Sequence, residues 1–263
     1  MTGIVRSIAG TILYTSTMAG RDGQERGREH FRIDIHKDGC RTIAAHGEID
    51  DAPAVVRDVN LRVDREGRPQ ESFVRIAVGG AFRGSGWFRF SDRLAECEAM
   101  TAVEGRVSQQ IDLQSPLAAF GNHAMINDGF LLNLYDLSRG PGVQMFRDIL
   151  LSSPDHRGAT GPMLFPIDLA IEFVGRQRLS VAAGDFDALH FRFTDIPGLL
   201  QEHPPYDLWC TDDGDYVLLK ATVGGYMQTA YELATYEPAV HEPTGHEPTG
   251  HEPAPGDRAE AGL

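Results

Sequence analysis

Residues 29–49 read EHFRIDIHKDGCRTIAAHGEI, and their period is two. Phe31, Ile33 and Ile35 fall on one face and Arg32, Asp34 and His36 on the other, as in a strand with one face in a core and one in water. Asp38-Gly39 then supplies the residue types of a tight hairpin, and the chain turns back into a second run. Working outward, residues 55–78 place Val59, Leu61 and Val63 before a turn at Arg65-Glu-Gly-Arg-Pro69, and Val74, Ile76 and Val78 after it. Residues 81–100 continue in the same style, with Phe82, Phe88 and Phe90 in register and Gly84 and Gly86 between them. Glycines on the inward face of a strand predict sharp coiling or the close approach of another segment.

The same period returns near the other end. Ile167, Leu169, Ile171 and Phe173 alternate, the Gly175–Arg178 stretch GRQR reads as a turn, and Leu189, Phe191 and Phe193 alternate after it. Asp213-Gly214 predicts another hairpin, and residues 227–237 a last strand. Roughly ten strands at even spacing predict an all-β fold: a curled antiparallel sheet or barrel, with one or two helices and one of them covering a cavity. Residues 1–236 form one domain on this reading, with meanders over about 29–113 and 166–236 joined by a helical and loop segment over 114–165. The N-terminal stretch is open to either strand or helix.

From residue 237 the composition changes to a five-residue HEPTG repeat rich in Pro, Gly and Glu, which predicts a disordered tail over 237–263. His241, His246 and His251 recur in it, and a solvated extension is preferred to a metal site because no preformed geometry is implied. Of the formal charge of -14, the tail's five Glu and one Asp against one Arg account for -5, so the body is acidic as well. Nucleic acid is thereby disfavoured as a partner, since phosphate binding needs clustered Lys and Arg.

Cys40, Cys97 and Cys210 lie far apart without metal-ligand spacing, which predicts reduced thiols and no metal site. Arg6 followed by SIAGTILYTSTMAG imitates a signal peptide, but Thr, Tyr and Ser interrupt its apolar middle, so the cytoplasm is the expected compartment, with export as the alternative. No stretch reaches the roughly 18 apolar residues of a spanning helix, and no membrane partner is expected. Phosphate-loop, dinucleotide, nucleophile-elbow and HExxH motifs are missing, so no cofactor is called for.

Between Asn122 and Ser138 the apolar spacing becomes helical, with Asn122 as N-cap, Gly140 as stop and Pro141 as block. His123, Asn127 and Asp128 then occupy the first turn and a half, with His123 near a cavity rim, and Phe130, Leu131, Leu134 and Tyr135 face the sheet. His123 is the candidate acid–base group, with Asp128 and Asn127 orienting it and Tyr135 or Arg157 polarising a substrate. Phe130, Leu134, Phe88 and Phe90 are expected to make the apolar end of the site, with His156 and Arg157 from the loop over 152–166 near its mouth. Plain helix capping and a solvated crossover loop are the alternatives for these two segments. His190 alternates against Leu189 and Phe191, and its direction stays open.

The element Trp209-x-x-x-Asp213-Gly214 and the strands around it resemble bacterial domains of unknown function built on the curled half-barrel of periplasmic lipoprotein carriers. That resemblance implies export and a carrier role. A more distant architectural likeness is to lipocalin-shaped hydratases and cyclases, which implies chemistry on terpenoid or polyketide compounds. Two functions follow as expectations. One is a cofactor-independent lyase, isomerase or hydratase acting on an apolar carbonyl or phenolic molecule; the other is a non-catalytic binder or carrier of a hydrophobic ligand. Convergence of His123, His156 and Tyr135 on one pocket favours the first, and divergence the second. The sequence carries no signal for oligomeric state.

Overall fold

The computed structural model describes residues 3–155, 159–199 and 203–241. The first half is a meander of eight strands: β1 (Ile4–Ser16), β2 (Glu25–His36), β3 (Arg41–Ile49), β4 (Val55–Val63), β5 (Pro69–Val78), β6 (Ala81–Phe90), β7 (Leu94–Thr101) and β8 (Gly105–Asp112). A two-residue strand β9 (Phe120–Gly121) and a short helix α1 (Met125–Leu131) follow. The second half is β10 (Gly142–Leu151), β11 (Phe165–Val181), β12 (Gly184–Asp195), β13 (Tyr206–Thr211), β14 (Leu218–Val223) and β15 (Thr229–Val240).

All fifteen belong to one sheet, in the order β8-β7-β6-β5-β4-β3-β2-β1-β15-β14-β13-β12-β11-β10-β9. Each half is antiparallel throughout, β1 joins the halves by pairing with β15, and β9 runs parallel to β10. The sheet curls without closing. Its β9 edge returns to the inner face of the first half, where the Phe120 ring lies 4.9 Å from Phe88 and 4.8 Å from Phe90.

The alternation read from residues 29–78 holds: Phe31, Ile33, Ile43, Val59, Leu61, Val63, Val74 and Ile76 are all buried. Gly84 and Gly86 mark a close approach. A Cβ on Gly84 would lie 2.6 Å from Pro162, and one on Gly86 2.9 Å from both Ala99 and Pro162. The chain entering β11 thus lies on the inner face of β6, and the Gln109 amide on the edge strand β8 holds it through the Leu164 carbonyl at 3.1 Å and N–H at 2.7 Å.

Five expectations need correction. The strands number fifteen among the described residues, because the N-terminal stretch is β1 and the joining segment contains β9 and β10. β10 breaks the period of two with a register shift between Phe146 and Ile149 and a left-handed backbone at Asp148, φ +56°. Phe82 is 47% exposed, because the register shift between Ile76 and Ala77 inserts an extra residue opposite them and turns Phe82 outward. GRQR is no turn: β11 runs through it, absorbs a bulge after Phe173, and turns only after Val181. Finally, β15 continues past residue 237, with Val240 opposite Arg6, and His241 Nε2 meets Ser7 Oγ at 2.8 Å. The repeat beyond, with His246 and His251, lies outside the described residues.

The Trp209-x-x-x-Asp213-Gly214 element builds the β13–β14 turn. Asp213 Oδ1 accepts from the Thr211 hydroxyl at 2.6 Å and the Asp215 N–H at 2.9 Å, and Gly214 supplies φ +84°. Cys40, Cys97 and Cys210 are free thiols. No helix among the described residues is long and apolar enough to cross a membrane.

Candidate functional site

α1 lies inside the curl of the sheet, with Met125, Ile126, Asn127, Gly129, Phe130 and Leu131 all buried. Gly129 allows this placement, since a Cβ there would stand 2.8 Å from the Tyr216 carbonyl and 3.0 Å from the Leu218 N–H nitrogen of β14. The helix is shorter than its apolar spacing predicts: it passes into 3₁₀ turns at Leu132–Leu134 and Leu137–Arg139, separated by extended backbone at Tyr135.

Its N-terminus is also capped differently. Asn122 is not the N-cap; its Oδ1 accepts from the Ala124 N–H at 3.1 Å and the Asn127 side-chain amide at 2.6 Å. The first helical N–H groups, those of Met125 and Ile126, donate instead to the two carboxylate oxygens of Glu29, each at 2.9 Å. A carboxylate at a helix N-terminus meets both orphan donors and the positive end of the dipole. Glu29 is 1% exposed and also accepts from the Tyr14 hydroxyl at 3.2 Å. Burial pushes its carboxyl up, against the pull of the two amides and the Arg57 guanidinium.

Beside the helix is a cavity of about 130 Å³ with a mixed polar and apolar wall. Arg57, His123, Asp128, Ser152, Asp155 and Tyr206 contribute polar groups, and Ile149, Ile167, Leu169 and Phe193 contribute apolar surface.

His123 and Asp128 both reach this cavity, but in other roles than their order in the sequence predicts. His123 precedes the helix, is 7% exposed and is not at a rim. Its Nδ1 lies 2.7 Å from Ser152 Oγ, and its carbonyl accepts from Arg57 Nη1 at 3.0 Å. Burial first, and then the Arg57 charge, bring its pKa down to about 3, so the ring is neutral near pH 7. Its Nε2 has no hydrogen-bond partner among the described residues. Asp128 Oδ2 accepts from the Tyr206 hydroxyl at 2.9 Å. Burial raises its pKa to about 7, helped by the Glu29 charge and opposed by Tyr206 and Arg57. The carboxyl is surrounded by protein and yet half-buried by area, because one side opens on the cavity.

The other candidates are placed elsewhere. Tyr135 packs its ring on Phe173 at 5.7 Å and Phe191 at 5.6 Å, and its hydroxyl lies 2.9 Å from the Gly140 carbonyl and 3.0 Å from that of Gly142. It fastens the loop after α1 and does not reach the cavity. Asn127 and Phe130 point to the opposite flank of the helix, at a void of about 10 Å³ beside Gly67 and Asn133. Phe88 and Phe90 are committed to Phe120, and Leu134 packs on the edge of the core. His156 and Arg157 lie outside the described residues. His190 sits on the outer face, bonded to Asp207 at 2.8 Å and stacked on Trp209 at 4.2 Å.

Glu29, Arg57, Ser152 and Tyr206 are the residues that reading by motif misses. For three of them, Glu29, Arg57 and Tyr206, the signal is parity; Ser152, past the end of β10, has none. Glu29 is in step with Phe31 and Ile33, Arg57 with Val55 and Val59, and Tyr206 with Leu208 and Cys210, so each alternation carries a polar group to the inner face.

No family model and no curated protein matches the chain. Among solved structures it is similar to a β-barrel-like protein of the domain of unknown function DUF1849 from Brucella abortus, at TM-score 0.54 and 11% identity, over 92% of this chain and 100% of that one. A protein with a YmcC-like fold from Bacteroides fragilis aligns at TM-score 0.31 and 10% identity, over 90% of this chain and 97% of that one. The Brucella likeness is one of fold: a curled, barrel-like sheet shared with a bacterial domain of unknown function.

Proposed function

We propose that the protein binds a small amphipathic molecule inside the curled sheet, with its polar end at Asp128 and Tyr206 and its apolar end against Ile149, Ile167 and Leu169. The observation that carries this reading is the mixed lining of the cavity beside α1, several polar groups among a larger apolar surface. A few convergent polar groups on an otherwise apolar enclosure fix a ligand's orientation, and burial of its apolar part supplies affinity. Divergence of Tyr135 from the cavity favours binding over the lyase, isomerase or hydratase reading, in which Tyr135 or Arg157 polarises the substrate. Neutral His123, engaged through Nδ1 and with its pKa brought down to about 3, is a poor acid near pH 7.

One observation favours a catalytic second reading. Asp128 titrates at about 7 on the cavity wall, where a carboxyl can both give and take a proton near neutral pH. In that reading the acid–base group is Asp128, oriented by Tyr206, and His123 supports the wall. The cytoplasm remains the proposed compartment on the ground of three free thiols.

A probe such as benzyl alcohol tests the binding reading by thermal shift. The wild type should gain stability with probe concentration, and Leu169→Trp, which fills the cavity, should lose that gain while still unfolding cooperatively. A full gain in Leu169→Trp would place the ligand elsewhere, and no gain in the wild type would remove the reading.

A further inference from the structure

Resting on the cavity reading, we infer that the polar end of the ligand is a cation: a primary ammonium held by the Asp128 carboxylate beside Tyr206, so that the chain takes small amphipathic amines. The polar groups of the wall differ in what already engages them. His123 holds Ser152 through Nδ1, and Arg57 holds the His123 carbonyl. Ser153 Oγ is engaged by Thr160 Oγ1 at 2.7 Å and the Asp155 N–H at 3.0 Å. Glu29 is occupied by two helix amides and Tyr14. Asp128 is different: Oδ2 takes one hydrogen bond from Tyr206, Oδ1 takes none among the described residues, and the residue borders the cavity. Asn122 Nδ2 and His123 Nε2 on the same wall also have no hydrogen-bond partner among the described residues, and of these three groups Asp128 is the one that carries negative charge when ionised.

Charge points the same way. Among the described residues that act on Asp128, two carboxyl groups, its own and that of Glu29, face one guanidinium, that of Arg57. An anionic head would add to this excess and an ammonium would reduce it, and the imbalance counts most where water is scarce. The rings of Phe193 and Tyr206, edge to face at 5.4 Å, both line the cavity, so the wall beside Asp128 is aromatic. In size, the cavity of about 130 Å³ compares with the engineered cavity of about 150 Å³ that admits benzene, so a ring or a chain of about six carbons fits.

The groups facing Asp128 are Tyr206 from β13, Glu29 from β2 and Arg57 from β4, with Tyr231 of β15 beyond them. The Tyr231 hydroxyl is pushed by burial up to about 12 and that of Tyr206 well above its ordinary value, so neither titrates near neutral pH. His203 also lines the cavity, which is why substitution of Asp128, and not a pH profile alone, decides the assignment.

Calorimetric titration of the full chain with hexylamine, hexan-1-ol and hexanoate provides the test. Hexylamine should bind at least tenfold more tightly than hexanol at pH 8, hexanoate should bind more weakly than either, and the amine should lose about tenfold in affinity by pH 5.5. Asp128→Asn, checked for cooperative unfolding, should bring hexylamine down to the affinity of hexanol. If hexanol or hexanoate binds at least as well as the amine, or if Asp128→Asn keeps the amine's advantage, the cation assignment is wrong and the cavity reading stands. If none of the three binds, the cavity reading beneath it fails as well.

Discussion

Two carboxyl groups lie at the first turn of the same short helix, and their surroundings differ. Glu29 meets its N-terminus with every oxygen engaged: two backbone N–H groups, a tyrosine hydroxyl and a nearby guanidinium. Asp128, on the helix itself, has one hydrogen bond and one open side. Burying a carboxyl without partners costs several kcal/mol, so a fold keeps such a group only if it is satisfied or if its cost serves something else. Glu29 is of the first kind and belongs to the architecture. Asp128 is of the second, and it is the one that borders a cavity.

The contrast breaks most visibly if Glu29 is removed. Glu29→Ala leaves two buried amides of α1 and the Tyr14 hydroxyl without their acceptor and removes the carboxylate charge near Arg57, and the expected loss is about 3–5 kcal/mol in urea unfolding. A loss below about 1 kcal/mol would mean that the helix finds another cap and that Glu29 is not its anchor. His123→Ala comes next, at about 2–3 kcal/mol, because a buried ring is lost and Ser152 is left unpaired. The pH dependence sharpens this. With a folded pKa of about 3, below its unfolded value near 6.5, His123 contributes stability above about pH 6.5 that is lost as pH falls toward 3. The cost of His123→Ala should therefore shrink between pH 7 and pH 4; a cost independent of pH would show that the ring titrates normally.

Both carboxyls were within reach of the sequence, though not of its motifs. The alternation around residues 31–76 predicted the strands and the buried face, and Gly84 and Gly86 foretold the approach that Pro162 makes. The same alternation put Glu29 and Arg57 on the inner face, where a charged side chain in step with Ile and Val is the strongest sign of a buried polar network. The helical spacing over 122–138 located α1 but overran it. Spacing alone cannot register that extended backbone intervenes at Tyr135, or that a carboxylate on another strand takes over capping from Asn122. β10 stayed hidden because a bulge and a left-handed residue erase its period. Parity survives in a sequence where the strand is regular and is lost where it bulges, and Phe82 fails for the same reason.

Asp128 offers the smallest effect and the opposite sign. Its folded pKa of about 7 lies above the unfolded value of about 3.9, so the folded state holds the proton more tightly. The contribution of this group is therefore full below about pH 4 and declines as pH rises toward 7, the reverse of His123. Asn keeps an acceptor for the Tyr206 hydroxyl and has no proton to lose, so Asp128→Asn should match the wild type near pH 4 and exceed it at pH 8. The full shift corresponds to about 4 kcal/mol, but the carboxyl stays wetted on its cavity side, and the expected gain is about 1–2 kcal/mol. Urea unfolding of both proteins at the two pH values measures it directly. A gain confined to high pH marks a carboxyl kept at the expense of stability, as expected where the group serves a ligand. An equal loss at both pH values would instead make Asp128 a second Glu29, part of the architecture.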